Sequence, residues 1–274
     1  MPISADRERE FYDAVYSRFL DLPECELVCN RRILEADLND PSKSIYERRR
    51  LYQLVLRELT GEPVAGLHAL DYGCGTGDWG LMLAAEGAQV TFLDLSPVAV
   101  EVAMRRAAAG RVSVRVRGVA RDASDLSCFR NEEFDLIYGS AAIHHTLKYP
   151  NSLDELLRVL RPGGRLVLAE TYGNNRVLNF ARRTGWRLRG QAEEAGEEIV
   201  FSDAHVAMLR ERLASVRVTP VNLLAMAKRA FRGRFGNAFV RGVSGSLEKL
   251  DDLILNVAPW MARYCGEVLV VGRK

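Results

Sequence analysis

Over the first sixty residues, apolar side chains recur at helical spacing. Within residues 6–20, Phe11, Val15 and Phe19 adjoin Tyr12 and Tyr16, and residues 42–61 carry an apolar stripe of Ile45, Leu51, Leu54, Val55 and Leu59 that ends at Gly61 and Pro63. From residue 67 the texture changes to short apolar runs separated by amphipathic ones. Residues 67–73, 89–97, 112–118, 134–140 and 165–172 read as strands. Residues 79–87, 97–110 and 152–164 read as helices, with Pro97 in a first turn and Pro162 with its glycines as a stop. After Tyr172 the beat fails across 173–201, where an acidic run follows a basic one. It resumes with a helix at 202–213, capped by Ser202 with Asp203 beside its positive end. A strand follows at 215–221, with Pro220 confined to its end or to a sheet edge. A second irregular stretch covers 222–245, then come a helix within 246–266 and a last strand at 267–274.

Strands alternating with helices of about ten to fifteen residues imply a parallel sheet covered on both faces. The expected fold is α/β: a Rossmann-like, mostly parallel seven-stranded sheet with helices on both faces, an N-terminal helical segment and an inserted cap. The division expected is a helical lid over 1–60 and a domain over 61–274, with cap insertions near 173–201 and 222–245. At 274 residues the chain can bury a sizeable core, and its 48% hydrophobic and 27% charged composition excludes disorder and collagen. The 38 basic residues face 36 acidic ones, so overall charge gives no reason to expect nucleic acid. The five cysteines (25, 29, 74, 128 and 265) lack metal-ligand spacing, and no metal site is expected. The N-terminal stretch has no apolar signal core and no run reaches membrane-spanning length, so a cytoplasmic protein with free thiols and no integral membrane association is expected.

The densest chemistry lies at Asp71, Gly73, Gly75, Gly77 and Asp78, where a strand turns into a helix. Glycines there permit unusual dihedrals and close approach of a ligand to backbone. The spacing is G-x-G-x-G, not the dinucleotide G-x-G-x-x-G, which fits a nicotinamide-dependent oxidoreductase poorly. Two carboxylates beside a phosphate would repel it, so they suit a ligand carrying a positive amino group. Asp94 ends the next strand and is placed to accept from vicinal ribose hydroxyls, with helix capping as the competing role.

These segments resemble the class I S-adenosylmethionine-dependent methyltransferases. The match runs from ALDYGCGTGDWG and TFLDLSP through DASDLSCF, FDLIYGSAAIHH and LLRVLRPGGRLVLAE. It is good over about residues 45–172 and looser beyond. The resemblance implies S-adenosyl-L-methionine as cofactor. Its methionine portion would fall to Asp71, Gly73, Gly75 and Gly77, its ribose to Asp94, and its adenine to Asp122 and the Ala123 N–H between Leu95 and Ala123. Tyr12 and Tyr16 lie on a segment that folds over the cofactor in related enzymes, and Tyr16 is assigned to the cofactor site; core packing is the competing role.

Methyl transfer from a sulfonium asks the protein mainly to position the acceptor and manage a proton. His144 and His145 follow strand four at the ligand-binding edge, and Glu170 and Tyr172 end strand five on the same rim. These four are the catalytic candidates, with His145 preferred as base. His68 reads as structural, and His205, near the start of a later helix, as a surface histidine or one behind the site. Residues 222–241 hold Lys228, Arg229, Arg232, Arg234 and Arg241 without an acid. A solvated cap helix, an entrance for an anionic or carrier-bound acceptor and a membrane-facing patch compete for that stretch. The function expected is methylation of an oxygen or nitrogen of a small or medium-sized metabolite, in specialised metabolism, by a protein able to form a homodimer. A tRNA or rRNA methyltransferase and a non-catalytic cofactor-binding partner are the alternatives.

Overall fold

The computed structural model describes residues 5–180, 184 and 200–274. Helix α1 (Ala5–Ser17) is followed by α2 (Arg31–Asn39) and α3 (Arg49–Thr60). The first half of the sheet is built from β1 (His68–Tyr72), α4 (Asp78–Ala85), β2 (Gln89–Asp94), α5 (Pro97–Ala109) and β3 (Val116–Ala120). The second half runs β4 (Phe134–Ser140), α6 (Ser152–Val159), β5 (Leu160–Thr171), α7 (Asp203–Arg212), β6 (Ser215–Val221), α8 (Ala238–Val257) and β7 (Glu267–Arg273). The seven strands lie in the order β3-β2-β1-β4-β5-β7-β6. Strands β1 to β5 pair in parallel, and β7 enters antiparallel between β5 and β6. β6 is therefore an edge strand, which is where Pro220 is tolerated.

Successive strand residues feed opposite cores, as expected of a sheet buried on both faces. In β1, Ala69 joins a cluster with Leu34, Leu38, Leu51, Val55 and Leu59, while Leu70 joins one with Leu153, Leu156, Val206 and Leu209. Helices α2 and α3 are thus part of the main core, and only α1, which buries none of its residues, lies apart as a cover. This corrects the expectation of a lid over residues 1–60. Most of the first expected insertion lies outside the described residues. Within the second, residues Leu224–Phe231 form a 3-10 helix, and α8 begins earlier than its charged pattern indicated.

The basic stretch lies against acids contributed by distant parts of the chain. Arg232 Nε lies 2.7 Å from Glu47, Arg229 Nη2 lies 3.2 Å from Glu267, and the buried Lys228 Nζ lies 3.5 Å from Glu248. Arg241 donates to the Phe235 and Gly236 carbonyls. These contacts join the 3-10 helix to the body, while Arg232 and Arg234 stay exposed. Glu267, fully buried, also accepts from Arg48 Nε at 2.9 Å and from Asn222. Burial pushes its carboxyl up, but Arg48, Arg229 and Lys228 outweigh that and hold it at about 2. A carboxyl lowered from 4.5 to about 2 stabilises the fold fully above about pH 4.5 and loses that share as pH falls through 2. The shift corresponds to about 3 kcal/mol. In urea unfolding, the stability gap between wild type and Glu267→Gln is expected to stay constant from pH 7 to 5 and to narrow below. A gap independent of pH would refute the assignment. No helix among the described residues is long and apolar enough to cross a membrane.

Candidate functional site

The turn after β1 is shaped by what its glycines touch. The Gly73 and Cys74 amides donate to the Leu93 carbonyl at 2.8 and 2.9 Å, drawing the turn against the end of β2. Gly73 has φ +68°, and a Cβ there would lie 2.4 Å from that of Ala142; Gly75 has φ +51°, and its Cβ would meet the Tyr16 hydroxyl at 2.9 Å. A side chain at either position would combine strain with collision. The Gly75 N–H donates to Asp94 Oδ2 at 2.9 Å, and the Ser96 N–H to Asp94 Oδ1 at 2.9 Å. Burial pushes the Asp94 carboxyl up, while those two amides oppose the shift. Each oxygen keeps acceptor capacity after its amide is satisfied.

A cavity of about 280 Å³ opens at the C-terminal ends of the parallel strands. Seven expected residues, Tyr16, Gly73, Asp94, Leu95, Asp122, Ala123 and His145, line it together. Asp122 Oδ1 accepts from the Ser124 N–H at 2.8 Å, which holds the carboxylate in its turn. Asp71, Gly75 and Gly77 do not line the cavity. Asp71 lies beneath the turn, accepting from the Gly80 N–H at 3.0 Å, with its carboxyl pushed well up by burial. Gly77 provides the left-handed residue that starts α4.

The cover comes from α1. Glu8, Tyr12 and Tyr16 recur every fourth residue, so one face of the helix supplies all three to the cavity. The Tyr12 and Tyr16 rings stack with centroids 6.0 Å apart, and Asp13 accepts from the Ser96 hydroxyl on the rim. His145, on a single helical turn after β4, is held between two α1 side chains. Its Nδ1 lies 2.8 Å from Glu8 Oε1, and its Nε2 lies 3.2 Å from the Tyr12 hydroxyl. A carboxylate only accepts, so Nδ1 carries the proton; in the neutral ring this network leaves Nε2 as the acceptor. Burial pushes the Glu8 carboxyl up, but His145 and Lys148, whose Nζ lies 3.4 Å from Oε2, hold it below its ordinary range.

The other catalytic candidates are placed differently. Glu170 is fully buried; Oε1 accepts from the Ala142 and Ile143 N–H groups at 3.0 and 3.1 Å, and Oε2 accepts from His144 Nδ1 at 2.8 Å. Burial pushes this carboxyl up, but the His144 charge and the hydrogen bonds bring it below its ordinary range. Tyr172 donates to Asp203 at the start of α7. None of His144, Glu170 and Tyr172 lines the cavity, which corrects their expected place in the reacting volume. Their roles are in holding the turn and the rim. His205 belongs to the capping box of α7 with Ser202. Glu8, Ser140 and Lys148 were not anticipated. Glu8 lies in a run of alternating charge, and only its four-residue spacing from Tyr12 and Tyr16 marks it.

Residues 69–164 match the family described as "Methyltransferase domain". Over 108 residues the chain is 44% identical to a demethylmenaquinone methyltransferase of Clavibacter sepedonicus, covering 39% of this chain and 42% of that protein. A longer alignment, 27% identical over 216 residues, covers 78% of this chain and 64% of the phthiotriol/phenolphthiotriol dimycocerosates methyltransferase of Mycobacterium leprae. The chain thus spans less than two thirds of these curated relatives. The solved geranyl diphosphate C-methyltransferase of Streptomyces coelicolor A3(2) shares the fold, with TM-score 0.53 and 18% identity over 87% of each chain. With the strand order, the glycine turn and the carboxylates at the strand ends, this match shows a methyltransferase domain over residues 69–164 that resembles the class I S-adenosylmethionine-dependent methyltransferases.

Proposed function

We propose that this protein transfers a methyl group from S-adenosylmethionine to an oxygen or nitrogen of a small or medium-sized metabolite. The observation that carries this reading is one cavity in which Asp94 and Asp122 share walls with the Nε2-accepting imidazole of His145. The residues fit the cofactor. Asp94 has acceptor capacity for a vicinal diol, Asp122 for an exocyclic amine, and Leu95 and Ala123 have apolar surface for a ring. The Gly73 turn leaves no room for a side chain, and carboxylates suit a cationic ligand. When bound, the cofactor supplies a methyl group already activated on sulfonium sulfur.

The chain then has to orient the acceptor, exclude water and take a proton. His145 Nε2 would accept the proton of a hydroxyl or of an amine, with the Tyr12 hydroxyl giving way or relaying it. Glu8 would keep the ring oriented and stabilise it once charged, as carboxylates paired with imidazoles do. Helix α1 would shield the reacting groups from solvent. A relative named as an O-methyltransferase makes hydroxyl acceptors the first to try, followed by amines and, because another relative is named as a C-methyltransferase, by activated carbons.

Calorimetry with S-adenosylmethionine, followed by transfer of labelled methyl to that panel, tests the reading. Asp94→Ala should weaken cofactor binding by about 10- to 100-fold, the loss expected for one or two hydrogen bonds to a charged group. An unchanged dissociation constant would remove Asp94 from the site. Cofactor binding without transfer to any acceptor would favour a non-catalytic binding protein.

A further inference from the structure

A line of polar side chains runs from Arg48 to Ser140 on the cavity wall. Arg48 ends a short 3-10 helix just before α3, and its side chain is mostly buried. Its Nε donates to Glu267 at 2.9 Å, and its Nη1 donates to the Tyr52 hydroxyl at 3.1 Å. The Tyr52 hydroxyl lies 3.2 Å from Ser140 Oγ, and Ser140 lines the cavity at the end of β4. Tyr52 is held in place by an edge contact with Trp79, centroids 5.5 Å apart.

The first link of this series has a fixed direction. A guanidinium has donors and no acceptor, so the Tyr52 oxygen accepts from Arg48. Either hydroxyl can donate in the Tyr52–Ser140 contact; with Tyr52 donating, Ser140 keeps a proton to give to the cavity. The buried Tyr138 hydroxyl also interacts with Ser140, and as a second donor to the Ser140 oxygen it leaves the serine proton for the cavity. The Ser140 hydroxyl is thus a polarised donor on the cavity wall, since hydrogen bonds in series strengthen one another. Arg48 itself is anchored by the buried Glu267.

We propose that Arg48, Tyr52 and Ser140 form a relay that recognises an anionic oxygen of the methyl acceptor: a phenolate, enolate or carboxylate. Ser140 touches that oxygen, while Tyr52 and Arg48 are positioning residues. This deepens the methyltransferase reading and rests on it: the cavity must be where the acceptor meets the cofactor. The acceptor class is thereby narrowed to molecules carrying a negative oxygen, recognised by a donor fixed in the wall.

The test compares 4-nitrophenolate with its neutral isostere 4-nitroanisole, each titrated by calorimetry into full-length protein saturated with S-adenosylhomocysteine. The wild type is expected to bind the phenolate more tightly. Tyr52→Phe and Ser140→Ala should each weaken phenolate binding about tenfold or more, the loss expected for a hydrogen bond to a charged group, and leave the anisole unchanged. Equal loss for both ligands, equal wild-type affinities, or no binding of either would overturn the relay. So would a preference lost in Lys148→Ala and kept in Tyr52→Phe, because Lys148 is the other cation on the cavity wall. Failure of S-adenosylhomocysteine itself to bind would count against the methyltransferase reading, and the first titration separates that case.

Discussion

Replacing His145 with alanine is expected to lower turnover by roughly 10²- to 10⁴-fold, the usual contribution of a positioned general base, with cofactor affinity kept within about twofold. The reason is geometric. His145 is the imidazole on the cavity wall, and both of its nitrogens are engaged: Nδ1 with Glu8 and Nε2 with the Tyr12 hydroxyl. Removing the ring takes away the proton acceptor but leaves Asp94 and its amide partners in place. Glu8→Gln should reduce turnover less, because an amide oxygen still accepts from Nδ1 but no longer stabilises a charged ring. Single-turnover rates with saturating cofactor separate this from a binding defect. A His145→Ala enzyme with wild-type turnover would dismiss the base and leave His145 as a pocket wall.

Glu170→Ala should cost about 3–5 kcal/mol of stability, the range for breaking a buried, paired charge. The carboxylate is fully buried and satisfies three donors: the Ala142 and Ile143 N–H groups and His144 Nδ1. Alanine would leave all three without that acceptor, each an unmet group inside the protein. Glu170→Gln should cost less, since one oxygen remains to accept. Because these donors begin the turn that carries His145, Glu170→Ala should also loosen the catalytic geometry. Urea unfolding of both variants decides the matter; a loss below about 1 kcal/mol in the alanine variant would mean that water or a shifted side chain replaces the carboxylate. Glu170 is therefore functional through the turn it holds.

The sheet was legible because its strands and helices announce themselves locally. Apolar runs of strand length ending in glycines or polar turns, as at 67–73 and 134–140, have few alternative conformations that bury them. Departures occurred where local signals conflict. Residues 112–115 look like strand, yet Ser113–Arg115 forms a 3-10 turn and β3 begins at Val116. Helix α8 runs through Gly242 and Gly245, which local propensity counts against a helix. The helix at 152–164 stops at Val159, and the Pro162 stretch joins the long β5. Helix α2 falls within the expected helical segment, but its burial of Leu34 and Leu38 in the core is not marked locally, because its remaining residues are largely charged or polar.

The cofactor side of the site was readable for a related reason. The glycine turn, Asp94 and Asp122 sit at strand ends, and alternation of strand and helix delivers strand ends to one edge of the sheet. The charged groups behaved otherwise. Glu170 and Tyr172 also end a strand, but their side chains are taken up by His144 and Asp203 before they can meet a ligand. The basic residues 228–232 lie against Glu47, Glu248 and Glu267, which lie far from them in the chain. Backbone order and apolar periodicity act over a few residues, so the linear chain alone specifies the layered sheet and the edge where ligands collect. Charges act through space, and burial strengthens whichever partner comes within a few ångströms. Only the folded chain therefore decides that Glu8 pairs with His145, that Glu170 holds a turn, and that Lys228, Arg229 and Arg232 meet acids from distant parts of the chain.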